Sequence, residues 1–179
     1  EIDNSCRFNN NDSTLIKSFD AAGNRRTFTV STWVKLGDLA GGKITGTQTG
    51  GDNYFFIGNK TSGQFTIQQG DDAIRVATVA LNRDPSAWYH IVLAMDTTQA
   101  TDTNRAKIYV NGSQVTVFST TTYPTQNLDT WVNSTAVPTT IGTDSRLYSA
   151  DFDGYLAEVN FIDGQALTPA SFGETNSAT

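Results

Sequence analysis

The chain has 179 residues, of which 12 are basic and 18 acidic, and its formal net charge is -6. This negative charge repels nucleic acid and anionic membrane surfaces, so it disfavours a nucleic-acid-binding role. Aromatic residues make up 11% and charged residues only 17%, a composition typical of an all-β globular domain rather than a disordered chain.

Apolar and polar residues alternate with a period of two in short segments, and turn residues separate these segments. The pattern predicts strands near Cys6–Phe8, Thr14–Lys17, Thr27–Lys35, Lys43–Gly46, Asn53–Ile57, Gln64–Gln68, Ala73–Val79, Trp88–Asp96, Arg105–Val110, Gln114–Phe118, Thr139–Gly142 and Phe152–Phe161. A single helical turn is predicted at Thr168–Gly173, with Thr168 as N-cap and Pro169 in the first position. Short strands at this spacing indicate a β-sandwich or barrel, and we expect one domain over residues 1–179.

Three segments carry more specific information. Trp88–Met95 is apolar on both faces, which predicts a central strand that is covered on both sides. Asn111-Gly112 tolerates the positive φ angles of a type I′ turn, so we expect a hairpin whose returning strand is Gln114–Phe118. The polar segment Ser119–Pro138 is too long for an ordinary connection, and such loops are often functional.

Cys6 is the single cysteine, so no disulfide can form within the chain. The sequence has no run of about eighteen apolar residues and no secretory leader pattern, and position 1 is not Met. We therefore expect a mature product or an excised domain without membrane insertion.

Two stretches resemble a known family. An aromatic-His-hydrophobic strand at Trp88–Asp96, followed by Tyr109-Val110-Asn111-Gly112, is similar to laminin-G-like members of the concanavalin A-like lectin and glucanase superfamily. The tail Phe152–Val159 with Leu167 fits the closing strand of that family. The resemblance implies an antiparallel jelly-roll sandwich. The segment Ala22–Thr29 leading into Trp33–Lys35, together with Phe161–Leu167, also resembles versions of this domain in virion proteins of tailed bacteriophages.

Hydrolytic machinery is not indicated. Enzymes of this fold that cut β-glucans carry a Glu-x-Asp-x-x-Glu strand with paired carboxylates, and the glutamates here are only Glu1, Glu158 and Glu174. Asp151 and Asp153 share one face of a strand, but we interpret them as a polar strand start. We therefore expect no enzymatic activity.

His90, the only histidine, lies inside an apolar strand. No second histidine or nearby cysteine gives zinc spacing, and no Ser-His-Asp order is present. We interpret His90 as a buried structural histidine rather than a catalytic base or metal ligand.

Aspartates are expected to gather at one rim of the sandwich. If consecutive strands alternate in direction, the loops Thr49–Asn53, Gly70–Asp72, Thr97–Thr103 and Ser119–Pro138 emerge together. The rim would then carry Asp52, Asp71, Asp72, Asp96, Asp102 and Asp129. Calcium takes oxygen ligands from such loops, and the family resemblance also implies calcium binding at a loop rim. We therefore hypothesise a calcium site that uses Asp52, Asp71 or Asp72. The alternative is that these charges only keep the surface soluble.

A saccharide site is expected at the same rim, because a sugar ring needs an aromatic platform and polar groups for its hydroxyls. The candidates are Asn53, Tyr54, Tyr123, Gln126, Asn127 and Trp131. Alternatively, Tyr54 begins a core strand and Trp131 holds the long loop against the sandwich. The second choice of site is the opposite rim, with Asp144, Arg146 and Tyr148.

The function that follows from these expectations is that of a non-catalytic, lectin-like module of a phage virion protein. Such a module lies on the virion surface, or is extracellular, and attaches to surface glycans. The alternative is a structural domain that stabilises the virion by contacting another virion protein, with homo-oligomerisation left open. A secreted carbohydrate-active enzyme, or its binding module, is the third class.

Overall fold

The computed structural model describes residues 2–10, 13–50, 53–60, 63–70, 73–143 and 151–173. In this part of the chain the strands are β1 (Cys6–Asn9), β2 (Leu15–Lys17), β3 (Thr27–Leu36), β4 (Gly42–Gly50), β5 (Asn53–Lys60), β6 (Gln64–Gln69), β7 (Ile74–Thr78), β8 (Tyr89–Asp96), β9 (Ala106–Val110), β10 (Ser113–Gln114), β11 (Phe118–Thr122), β12 (Thr139–Ile141) and β13 (Asp153–Asp163). They form a six-stranded sheet in the order β1-β13-β3-β8-β9-β10 and a seven-stranded sheet in the order β11-β7-β6-β5-β4-β12-β2. In the described part of the chain, neighbouring strands within each sheet run antiparallel. The predicted antiparallel sandwich is therefore confirmed.

Alternate residues of both sheets fill the space between them. Phe28 on β3 and Phe55 on β5 are fully buried, and their rings meet edge to face with centroids 5.9 Å apart. Phe161 on β13 stacks on Phe28 at 5.6 Å. A second cluster, around Phe8 and Phe152, fills the remainder of the interior. The hydrophobic core therefore joins facing strands of the two sheets, as period-two alternation requires.

The prediction of a strand covered on both faces is confirmed. Leu93 and Met95 on β8 belong to the core between the sheets. Val92 and Ala94 point to the opposite face, where they form a separate buried cluster with Tyr109. Phe172, near the end of the described chain, packs against this cluster. The C-terminal segment thus covers the outer face of the six-stranded sheet.

The predicted hairpin turn is also confirmed. Asn111 has φ 49° and Gly112 has φ 80°, the left-handed backbone that a type I′ turn needs. Ser113 pairs with Val110 on the other side of the turn. The Asn111 side chain accepts a hydrogen bond from the backbone N–H of His90 at 2.8 Å, which ties the turn to the neighbouring strand.

The expected returning strand Gln114–Phe118 is wrong in its extent. After Gln114 the chain leaves the six-stranded sheet, and Phe118 begins β11, which pairs with β7 of the other sheet. This strand continues to Thr122, inside the segment we expected to be irregular. The alternation of apolar and polar residues is compatible with a strand in either sheet. Which sheet the strand joins depends on its partner strand, and the local sequence does not specify that partner.

The C-terminal helical turn is a 3₁₀ turn at Pro169–Ser171. Thr168 occupies the N-cap position and Pro169 the first turn, as predicted, although the Thr168 side chain makes no capping hydrogen bond. A second 3₁₀ turn, which the sequence analysis did not predict, lies at Asp102–Asn104. No helix in the described part of the chain is long and apolar enough to cross a membrane.

Candidate functional site

Two of the loops expected at the rim, the one after β8 and the long polar segment, lie against each other. The Thr97 hydroxyl donates to the carbonyl of Leu128 at 2.8 Å, and the Asn127 N–H donates to the carbonyl of Thr97 at 2.8 Å. The long polar segment is therefore held against the loop that follows β8. At the end of the seven-stranded sheet, the Gly70 N–H donates to the carbonyl of Tyr54 at 3.1 Å. The Trp131 N–H donates to the side chain of Gln69, next to Gly70, so the long segment reaches this end of the seven-stranded sheet.

Two aspartates of this rim have strong protein partners. Burial favours a higher pKa for Asp96, but hydrogen bonds from the Thr98, Gln99 and Thr27 side chains and from the Thr98 N–H outweigh it, so its pKa is lowered. The pKa of Asp129 is lowered chiefly by its hydrogen bond from Arg26, whose Nε lies 2.7 Å from the carboxylate. Both carboxylates therefore hold the loops of the rim together through hydrogen bonds with protein groups.

The expected metal ligands Asp52, Asp71 and Asp72 lie outside the described residues. The second-choice saccharide set Asp144, Arg146 and Tyr148 also lies outside them. Within the described ranges, no group of three or more His, Cys, Asp or Glu side chains is placed to hold a metal ion.

Tyr123, Gln126 and Asn127 of the expected saccharide set follow one another on the long segment, and each contacts a different part of the chain. The Gln126 amide donates to the carbonyl of Thr98 at 3.1 Å, and the exposed Asn127 takes a left-handed backbone with φ 63°. Tyr123 is half-buried and meets the ring of Phe118 edge to face at 6.5 Å. Burial and the nearby Asp102 raise the pKa of the Tyr123 hydroxyl.

Trp131 holds this segment to the sandwich. Its backbone N–H donates to the side-chain carbonyl of the buried Gln69 at 3.1 Å, and its indole packs against the core. The Arg25 guanidinium lies 5.7 Å from the indole centroid, and the Arg25 Nε donates to the carbonyl of Thr130 at 2.7 Å. Gln69 belongs to the core-facing side of β6, so Trp131 lies on the inner side of the seven-stranded sheet.

Tyr54 lies on the opposite side of that sheet. Because residues alternate along β5, Phe55 points into the core while Tyr54 and Phe56 point outward. Their two rings are nearly parallel, with centroids 5.9 Å apart and an interplanar angle of 23°. Tyr54 and Trp131 therefore do not share one surface, whereas the exposed Asn53 precedes Tyr54 at the start of the same strand.

Polar groups surround the two rings. The Gln68 amide donates to the Tyr54 hydroxyl at 2.7 Å, and the Lys43 ammonium lies 5.1 Å from the Phe56 centroid. Arg75 pairs with Gln68 in the sheet and so lies on the same outer face. We call the surface formed by Lys43, Tyr54, Phe56, Gln68 and Arg75 the outer platform. Each of these side chains is half-buried.

Tyr54 is the one residue of the outer platform that was predicted from the sequence to bind a saccharide. Phe56 carried a usable signal, because two aromatic residues separated by one position share a face of a strand. The contribution of Gln68 depends on the register that places Phe56 opposite it. That register joins different strands, so a pattern within one strand does not reveal it.

The residues considered for catalysis have structural partners. His90 is buried, and the Ser31 hydroxyl lies 2.9 Å from its Nε2. Burial lowers the pKa of His90, and the charge of Glu158 opposes that effect only in part. Asp153 forms an ion pair with Arg7 at 2.7 Å. Both contacts link neighbouring strands of the six-stranded sheet.

An antiparallel sandwich of a six-stranded and a seven-stranded sheet is the architecture of lectin-like β-sandwich domains. The chain belongs to the concanavalin A-like lectin/glucanases superfamily, whose family model matches residues 8–171.

Solved structures share the fold at low sequence identity. A heptameric SAP-like pentraxin from Limulus polyphemus has a TM-score of 0.63 and 18% identity, covering 92% of this chain and 77% of that one. The LG1-3 region of the laminin α2 chain has a TM-score of 0.65 and 11% identity, covering 92% and 32%. The CBM40 of the Ruminococcus gnavus IT-sialidase, bound to α2,3-sialyllactose, has a TM-score of 0.54 and 13% identity, covering 86% and 92%. A comparison with curated proteins gives no match.

Proposed function

We propose that the chain is a non-catalytic, lectin-like module that binds a saccharide on the outer platform. The observation that carries the proposal is the pair of outward-facing rings, Tyr54 and Phe56, beside the amide of Gln68. An aromatic ring packs against the apolar C–H face of a sugar, and an amide both donates to and accepts from sugar hydroxyls. The outer platform provides both groups on one rigid sheet.

The charges beside the rings favour particular saccharides. Lys43 and Arg75 place two cationic side chains on the outer platform, and Lys43 lies over the Phe56 ring. Cationic side chains hydrogen-bond carboxylate and sulfate oxygens more strongly than neutral hydroxyls. We therefore expect saccharides that carry an acidic group to bind more tightly than their neutral counterparts.

A glycan array followed by calorimetry tests this function. The wild-type chain should bind a defined set of glycans, and Phe56→Ala should weaken the strongest interaction about tenfold, a loss of about 1.4 kcal/mol. Trp131→Ala distinguishes the outer platform from the loop rim. Loss of binding in Trp131→Ala with full binding in Phe56→Ala would move the site to the long segment, and an array without hits would refute saccharide binding.

We also propose a setting for the module, a virion protein of a tailed bacteriophage displayed on the particle surface. The sequence resemblance at Ala22–Thr29 and Phe161–Leu167 supports this proposal. A purely structural, virion-stabilising domain is the alternative, in which another virion protein or a further copy of this chain is the partner. Labelling of intact particles with an antibody against this chain tests the setting, and particles that do not bind the antibody would refute it.

Calcium at the rim remains a proposal based on Asp52, Asp71 and Asp72. A cation held by these loops stabilises the folded state increasingly as its free concentration rises above the dissociation constant, because it binds the native chain preferentially. The melting temperature should therefore rise with calcium and fall with a chelator. A melting temperature that is the same in both conditions, together with flat calorimetry, would refute the site.

A further inference from the structure

A cleft lies on the outer face of the six-stranded sheet, on the other side of the sandwich from the outer platform. Its volume is about 440 Å³, and the residues that line it are Ile2, Trp33, Trp88, Glu158 and Phe172. Most of this lining is aromatic.

The aromatic walls are fixed by strand pairing. Trp33 on β3 is directly opposite His90 on β8, and their rings stack with centroids 4.8 Å apart at 23°. Trp88 immediately precedes β8, and its side chain also lines the cleft. The indole of Trp33 thus has His90 against one side and borders the cleft. Little rearrangement is needed for these rings to meet a ligand.

The C-terminal segment supplies the other wall. The Thr29 hydroxyl donates to the carbonyl of Gln165 at 2.7 Å and accepts from the N–H of Leu167 at 2.8 Å. These bonds direct the chain across the sheet, where Phe172 meets His90 edge to face at 6.5 Å. The cleft is therefore assembled from segments far apart in the sequence.

Glu158 brings a carboxylate to this aromatic lining. It lies where the pairing of β13 with β3 shifts between Ala157 and Asn160, and its φ is 49°. A left-handed backbone is strained for a glutamate, and bulges of this kind redirect a side chain out of the regular ladder. The Asn160 amide donates to the carbonyl of Glu158 at 2.8 Å, which holds the irregular backbone in place. Strained backbone of this kind is concentrated at functional sites.

The electrostatics of the cleft are negative. Glu158 is the one charged side chain among its described lining residues. Burial lowers the pKa of His90, so the imidazole is neutral at pH 7 and adds no positive charge. Lys35 lies on the same face of β3, two residues after Trp33. Its positive charge helps to lower the pKa of Asp84, although hydrogen bonds from Ser86 lower that pKa more. Aromatic faces carry negative potential, which adds to that of the carboxylate.

We propose that this cleft binds a quaternary ammonium group, such as the trimethylammonium group of choline. A methylated ammonium presents apolar methyl groups to the aromatic walls while its positive charge is attracted by their faces and by Glu158. A primary ammonium keeps a tightly bound water shell and fits such a lining less well. The cleft lies on a different sheet from the outer platform, so this proposal does not depend on saccharide binding.

Titration with choline chloride tests the proposal, with tryptophan fluorescence and calorimetry as readouts. Choline should change the fluorescence in a saturable way, and its neutral carbon isostere, 3,3-dimethylbutan-1-ol, should bind about five- to thirtyfold more weakly because it lacks the charge. Sodium chloride at equal ionic strength is the control. No saturable response to choline, or equal affinity for the neutral isostere, would overturn the proposal.

Variants separate binding from folding. Glu158→Asn removes the charge while keeping a residue that tolerates a left-handed backbone, so choline affinity should fall about fivefold or more with no loss in melting temperature. Trp33→Leu should also weaken choline binding, whereas Phe56→Ala on the other sheet should leave it unchanged. Unchanged choline affinity in Glu158→Asn would overturn the role of the carboxylate and with it the proposal.

A sedimentation assay identifies the source of the group. Binding of free choline together with co-sedimentation on phosphatidylcholine vesicles, but not on phosphatidylglycerol vesicles, would assign a lipid headgroup. Choline binding without co-sedimentation would assign a soluble quaternary ammonium ligand. Binding to both kinds of vesicle alike, unaffected by choline, would contradict recognition of the ammonium group.

Discussion

Phe55 and Phe56 are adjacent in the sequence, and the structure places their rings on opposite faces of β5. Phe55 is 1% exposed and meets Phe28 across the core, whereas Phe56 lies on the outer platform beside Tyr54. Replacing each by alanine removes the same atoms from neighbouring positions. The pair therefore tests both the register of β5 and the proposed site.

The expected magnitudes differ clearly. Truncating a buried phenylalanine leaves a cavity and costs about 3–5 kcal/mol, and for a chain of this length each kcal/mol lowers the melting temperature by about 2–4 °C. Phe55→Ala should therefore melt about 6–20 °C lower. Phe56→Ala loses one partly exposed ring contact, which is worth about 0.5–1.5 kcal/mol, so its melting temperature should fall by less than about 6 °C.

Thermal unfolding followed by circular dichroism measures the first effect, and calorimetry with the strongest glycan-array ligand measures the second. At a temperature where both variants are folded, Phe55→Ala should keep its affinity for the glycan while Phe56→Ala loses about tenfold. Phe55→Leu, which refills most of the cavity, is the matched control for the core. Equal destabilisation by the two alanine substitutions would refute the register, and equal affinities would refute the outer platform.

Other substitutions test the rim and the buried histidine. Gln69→Leu removes the acceptor of the Trp131 N–H and should lower the unfolding free energy by about 1–3 kcal/mol, measured by urea unfolding; an unchanged value would mean that this bond does not hold the long segment. His90 has a lowered pKa, so its contribution to stability is present above pH 6.5 and is lost as the pH falls through the lower folded value. The melting temperature should therefore decrease between pH 7 and pH 5, and His90→Gln should flatten that decrease; the same slope in both proteins would contradict the reasoning. The exposed Arg26–Asp129 pair should matter little, with Arg26→Ala costing less than about 1 kcal/mol, and a larger loss in urea unfolding would show that the ion pair holds the rim together.

Much of the scaffold is predictable from local sequence patterns. Period-two alternation indicates strands such as Thr27–Lys35, and the two apolar faces of Trp88–Met95 predict a strand covered on both sides. Asn111-Gly112 predicts its turn because few residues accept a positive φ at adjacent positions. These features depend on residues next to one another, so the sequence alone contains the information.

The candidate site is less predictable. Tyr54 was expected at the rim together with Trp131, but the sheet separates them, with Trp131 on the inner side and Tyr54 outside. The face that a residue takes depends on how its strand is registered against its neighbours, as for Phe56 opposite Gln68. Asp52, Asp71 and Asp72 lie outside the described part of the chain, and their role as metal ligands stays a prediction.

By itself the sequence determined the class of fold, the main strands and the hairpin turn, because hydrophobic periodicity and backbone preferences act over a few residues. Only the tertiary structure decided that Gln114 and Phe118 belong to strands of different sheets, and that Phe172 closes a cleft beside Trp33. Those arrangements join residues distant in the chain. Their free energies depend on pairing and packing between segments, which no local pattern specifies.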